Sequence, residues 1–87
     1  MDTTSLAPIC YYVGIDISKA KLDCWLRPAG THLCCGNDSD GFDRLDQWLS
    51  AQGCHPGDTI ICTEDTGLYG KRLLMALTQA EWSVAVE

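Results

Sequence analysis

Positive charge is scarce in this chain: six Lys and Arg stand against twelve Asp and Glu, a formal net charge of −6. A domain that binds nucleic acid unaided is usually basic, because phosphate neutralisation supplies most of the affinity. An acidic domain either has no business with nucleic acid or relies on other parts of a larger protein to hold it. Also lacking is any apolar run near the roughly 20 residues that a membrane helix needs. Residues 1–8 have neither the basic start nor the apolar core of a signal peptide, so they read as a loose tail. The expected location is the cytoplasm, with no membrane partner. Repeats, low-complexity stretches and internal linkers are missing as well, and the 87 residues read as one small domain.

Cys-x-x-Cys spacing is absent too, although there are six cysteines. Most of them (Cys10, Cys24, Cys34, Cys35, Cys54, Cys62) fall in strand-like runs rather than in loops, which argues against both a zinc site and a disulfide framework. They read as reduced thiols acting as small hydrophobes. Cys34 and Cys35 are adjacent, so a strand would send one thiol to each face. His32 and His55 read as surface residues. A hydrophobic content of 46% is too high for a disordered chain.

What is present is an α/β pattern. Ile9 to Ile17 reads as a central strand, apolar on both faces. After a turn at Ser18–Ala20, Lys21 to Arg27 alternates with Leu22, Cys24 and Leu26 on one face. Asp23 and Trp25 fall on the other face, outward. Pro28-Ala29-Gly30 makes a turn, and Thr31 to Gly36 a third strand. Asn37-Asp38-Ser39-Asp40 offers several possible N-caps for a helix carrying Phe42, Leu45, Trp48 and Leu49 on one stripe. Gly53 and Pro56-Gly57 end it. Thr59 to Glu64 reads as a fourth strand. A second helix starts near Thr66, with Tyr69, Leu73, Ala76, Leu77 and Ala80 on its apolar stripe. The run from Trp82 to Glu87 reads as a fifth strand. A meander followed by two parallel crossovers predicts a mixed sheet of order 3-2-1-4-5, the front of a ribonuclease-H-like α/β fold.

Two of the predicted strands end in an acid, Asp16 and Glu64. In that strand order they stand side by side at the C-terminal edge of neighbouring parallel strands, where open α/β sheets bind ligands. An ionised carboxylate at the end of a buried strand is costly unless something compensates it. Adjacent carboxylates repel unless a cation bridges them, and hard oxygen ligands with room for water suit Mg²⁺ or Mn²⁺. Two such ions roughly 3.5–4 Å apart activate a nucleophile and stabilise the leaving oxygen in phosphodiester transfer. Gly14 clears the strand face two residues before Asp16, leaving room for a phosphate. The alternative is that Asp16 begins a turn and Glu64 caps the second helix.

The run Val13-Gly14-Ile15-Asp16-Ile17-Ser18-Lys19-Ala20-Lys21-Leu22-Asp23 resembles the opening of the DEDD transposases of bacterial insertion sequences, relatives of the pilin-gene-inverting recombinases. Asn37 through Gly41-Phe42, with Leu45 and Trp48-Leu49, is similar to that family's first helix. Thr63-Glu64-Asp65-Thr66-Gly67 resembles its Glu-Ala-Thr-Gly segment, and Val84 and Val86 fit its next strand. The resemblance runs from Val13 to Glu87. It implies a catalytic domain related to the Holliday-junction resolvases, which cuts and rejoins DNA with Mg²⁺ or Mn²⁺ held by four acids. Asp16 would be the first acid and Glu64 the second, serving as metal ligands and catalytic residues. The third and fourth come from a later helix, and further nucleic-acid contacts from a C-terminal domain. The expectation is therefore an N-terminal, truncated portion of a transposase, inactive by itself. DNA, and in this family also a guide RNA, would be its partners through the full-length protein.

Asp65 departs from the family's small residue and reads as a cap for the second helix, together with Thr66. Lys19, Lys21, Lys71 and Arg72 are candidate contacts to the phosphate backbone. Uncovered sheet surface predicts a homo-oligomer. Two other readings stay open. One is part of an actin-like or sugar-kinase nucleotide-binding domain, although Ser18-Lys19-Ala20-Lys21 has no glycine to cradle phosphate. The other is a non-catalytic interaction module.

Overall fold

The computed structural model describes residues 8–64 and 67–86. Its elements run β1 (Tyr11–Ile17), β2 (Lys21–Arg27), β3 (Thr31–Gly36), α1 (Ser39–Ala51), β4 (Thr59–Thr63), α2 (Lys71–Gln79) and β5 (Ser83–Val86). They form a mixed five-stranded sheet of order β3-β2-β1-β4-β5, as the sequence predicts. β1 pairs antiparallel with β2, and β2 antiparallel with β3. β1 and β4 are parallel, as are β4 and β5. Among the described residues no helix is long and apolar enough to cross a membrane. The expected N-terminal tail lies outside the described residues except for Pro8.

β2 obeys its alternation: Leu22, Cys24 and Leu26 are fully buried, while Trp25 and Arg27 are exposed. β1 departs from its expected burial on both faces. It begins at Tyr11 rather than Ile9, and Val13 and Ile15 are buried while Tyr12 and Asp16 are exposed. The cause lies in the connections. The crossovers β3-α1-β4 and β4-α2-β5 step in the same direction across the sheet, and one handedness then puts both helices on one face. Accordingly Leu45 and Leu49 of α1 and Leu73 and Leu77 of α2 join Val13, Ile15, Leu22, Leu26 and Ile61 in a single core. The opposite face is bare of helices among the described residues.

Asp38 is the residue that caps α1, its carboxylate accepting from the Gly41 N–H at 2.8 Å. A Cβ on Gly41 would run into the Gly36 backbone, so glycine lets the first turn of α1 lie on the end of β3. The second helix starts later than expected, at Lys71 behind Gly70, and Tyr69 lies ahead of it, half exposed. Ala80 is exposed beyond its end. Glu64 falls one residue past β4 and six before Gly70, the N-cap of α2, so it does not cap that helix. Capping by Asp65 and Thr66 concerns residues outside the described ones. Trp82, just ahead of β5, is buried, and its indole N–H donates to Asp46 of α1 at 2.8 Å. All six cysteines are free; Cys24, Cys35 and Cys54 are buried, and Cys34 is exposed on the face opposite to Cys35.

Candidate functional site

The site is built on the two central strands. β1 and β4 pair from Tyr11↔Thr59 to Ile15↔Thr63, so Asp16 and Glu64 follow together where the ladder ends. By alternation both belong to the bare face, with Tyr12, Gly14, Ile60 and Cys62. They line one cleft of about 330 Å³ with Gly14, Ile15, Trp25, Cys62 and Thr63. The sequence-predicted pair is therefore brought together, on strands about 4.8 Å apart.

The energetic premise for the pair needs correcting. Both carboxylates are exposed rather than buried at strand ends, because the face they stand on carries no helix among the described residues. Desolvation therefore gives no reason to expect a cation. What remains is proximity of like charge beside an open cleft.

Gly14 is the most informative residue in the wall. It sits in the middle of the central strand, opposite Trp25 on one side and Cys62 on the other. A Cβ there would meet no atom within 4 Å, and its φ is not in the left-handed region. Neither packing nor backbone geometry calls for glycine, which costs a strand interior roughly 0.5–1 kcal/mol relative to alanine. Its effect is to keep the cleft open at its floor. A second hollow of about 540 Å³ continues past it, lined by Tyr12, Val13, Trp25, Arg27 and Cys62.

A further acid belongs to this neighbourhood. Asp23 is the direct cross-strand partner of Asp16, on the same bare face. Its carboxylate lies 3.5 Å from His32 Nε2, and the His32 ring lies against Trp25 with centroids 4.9 Å apart. "Outward" on β2 means toward the site. The signal was available: a tight β1–β2 turn at Ser18–Ala20 fixes residue 16 opposite residue 23.

The remaining candidates divide. Lys19 lies exposed in the turn just after β1, and Lys21 is exposed at the start of β2, on the same face as Asp23. Neither lines the cleft. Arg72 borders a separate hollow between the helices, with Ser39, Phe42, Met75, Ala76 and Gln79, on the far side of the sheet. Lys71 is exposed in the first turn of α2 and does not line the cleft. Asp65 lies outside the described residues.

Two carboxylates with open water beside them are a donor set that Mg²⁺ uses, since it keeps several waters and takes one or two protein carboxylates plus substrate phosphates. Among the described residues, no three His, Cys, Asp or Glu side chains are grouped to hold a metal. Two carboxylates alone would hold such an ion only weakly, with water in its other positions. The turn beyond Asp16 is closed on itself: the Ser18 hydroxyl donates to Lys21 O at 2.9 Å and accepts from Lys21 N–H at 3.2 Å. That Lys21 amide is not turned outward to cradle a phosphate.

Comparison with known proteins adds no family. No family model matches the chain, and no curated protein matches it.

Proposed function

We propose that this chain carries the first two carboxylates of a divalent-metal site in a ribonuclease-H-like domain that cuts and rejoins DNA, of the DEDD transposase kind. The supporting observation is that Asp16 and Glu64 line one cleft at the C-terminal edge of neighbouring parallel strands. The strand order and the unneeded glycine beside the cleft point the same way.

In this reading Asp16 and Glu64 would hold a hydrated Mg²⁺ or Mn²⁺. The chemistry supplied there, with an ion bound, would be activation of a nucleophilic oxygen and stabilisation of a phosphodiester's leaving oxygen. The chain's own residues supply the frame. Gly14 leaves space for the sugar–phosphate chain at the floor, and the Trp25 ring walls one side. Lys19, beyond the strand end, offers charge to a neighbouring phosphate. With two of the four acids, the 87 residues are expected to leave DNA uncut in Mg²⁺. Their net charge of −6 makes the 87 residues a poor binder of nucleic acid by themselves.

The test is Mg²⁺ or Mn²⁺ titration followed by amide chemical shifts. The amides flanking Asp16 and Glu64 should respond, and Asp16→Asn should abolish the response.

One observation favours a second reading, an interaction module that self-associates. Tyr12 and Trp25 are 50% and 47% exposed on the bare sheet face, where both line one hollow. A homodimer that closes over this face would be lost in Trp25→Glu and indifferent to metal. Sedimentation of the wild-type and variant chains separates the two.

A further inference from the structure

Asn37 occupies a junction that a helix-cap role does not explain. It directly follows Gly36, the last residue of β3, which pairs with Lys21 at the start of β2. Its backbone N–H donates to Ala20 O at 3.0 Å, inside the turn that follows Asp16. Its side-chain Nδ2 donates twice, to Ser18 O at 2.9 Å and to Tyr69 O at 2.8 Å. Ser18 lies two residues after Asp16, and Tyr69 lies five after Glu64. One amide thus joins the segments that leave the two carboxylate-bearing strands. Asp38, not Asn37, takes the cap of α1.

The chemistry at this point is specific. Both partners are backbone carbonyls, which only accept, so the group between them must bring two N–H donors on one atom. Asparagine does this at the length available. Aspartate would set carboxylate oxygens against two carbonyls, and serine has one proton to give. Ile15↔Thr63 is the last pair of the β1–β4 ladder, so Asp16 and Glu64 are the first residues beyond it and the chain then diverges. The Asn37 amide joins the two segments further on, at Ser18 and Tyr69.

We propose that Asn37 is a positioning residue of the site: its carboxamide ties the turn after Asp16 to the segment at Tyr69 ahead of α2 and so steadies the two carboxylates relative to each other. This rests on the reading of Asp16 and Glu64 as a shared metal site for its purpose, though not for its existence.

The experiment therefore has a metal-free and a metal-bound arm, on the full 87-residue chain. In the metal-free wild type, the two Asn37 side-chain amide protons should exchange markedly more slowly than those of Gln47 and Gln79, both exposed on helices. Exchange at the same rate would overturn the proposal without any variant. In Asn37→Ala and Asn37→Asp, backbone order should fall together in residues 18–21 and 67–70, while the signals of Leu45, Leu49 and Ile61 stay in place. If only one loop loosens, or neither, the tie does not exist.

With Mn²⁺, the apparent dissociation constant should rise at least fivefold in Asn37→Asp, measured where circular dichroism shows full folding. Loosened loops with unchanged Mn²⁺ affinity would overturn the positioning role and leave Asn37 a structural residue. A wild type blind to Mn²⁺, yet with both loops loosened together in the variants, would support the tie and refute the metal reading. The two failures are therefore distinguishable.

Discussion

Asp16 and Asp23 face each other across the β1–β2 ladder, on the side of the sheet that carries no helix among the described residues. Cross-strand neighbours stand about 4.5–5.5 Å apart at Cβ, and like charges in that relation destabilise the pair. The contact recorded for this pair is His32 Nε2, 3.5 Å from Asp23 Oδ1.

This relationship predicts that Asp23→Asn stabilises the chain, by roughly 0.2–1 kcal/mol at neutral pH and low salt. Urea midpoints of the two proteins measure it. The gain should shrink in high salt, where exposed charges are screened. It should shrink further in millimolar Mg²⁺, since a cation held at Asp16 and Glu64 offsets the charge that Asp23 faces.

The two glycines at positions 14 and 41 should respond oppositely to alanine. Gly14→Ala meets no atom within 4 Å and should leave stability unchanged or raise it by up to about 1 kcal/mol. Gly41→Ala forces α1 off the Gly36 backbone and should cost more than about 2 kcal/mol, by the overpacking it creates. Thermal unfolding of both variants checks the contrast. Loss of metal response in a well-folded Gly14→Val would add that the open floor serves the cleft.

Thiol chemistry should follow the faces of the sheet. Cys10 and Cys34 are exposed, whereas Cys24, Cys35 and Cys54 are buried. Burial pushes the Cys24 thiol far above its ordinary value, with the neighbouring Cys35 adding to it, and raises Cys35 and Cys54 as well. Brief alkylation at pH 8 should therefore mark Cys10 and Cys34 fully and Cys62 in part. The other three should react only in denaturant.

The same burial fixes a pH dependence. Since the folded-state thiols ionise later than unfolded ones, the unfolded chain releases protons first as pH rises. Stability should be level below about pH 8 and fall progressively above pH 9, the thiols' ordinary value. Urea midpoints at pH 7 and pH 10 measure the fall. Cys24→Ala, though less stable overall, should show a smaller fall.

Much of this was legible in the sequence because alternation is a local signal. β2 announced its buried Leu22, Cys24 and Leu26, and the helix stripes announced Leu45, Leu49, Leu73 and Leu77. The strand order followed from a meander and two crossovers of one hand. Burial of β1 on both faces was misjudged, because strand composition says nothing of which face the crossovers leave bare. The start of α2 was misjudged for a similar reason. Gly70 opens it with no side-chain cap, so no capping residue marked the boundary. The juxtaposition of Asp16 and Glu64 beside one cleft followed from their positions at strand ends. Asp23 was missed as their neighbour, although the short β1–β2 turn contained the register. Asn37 could not be found locally, since its partner Tyr69 lies 32 residues away.

The most direct test of the metal reading is paramagnetic. Mn²⁺ added to the isotope-labelled chain should broaden the Trp25 indole N–H and the amides of Gly14, Asp16 and Glu64 first, with Trp82 and the α1 amides unaffected. Asp16→Asn should erase that selectivity. Uniform broadening that tracks exposed acids everywhere, including Asp40 and Asp43 on α1, and that persists in Asp16→Asn, would contradict the account.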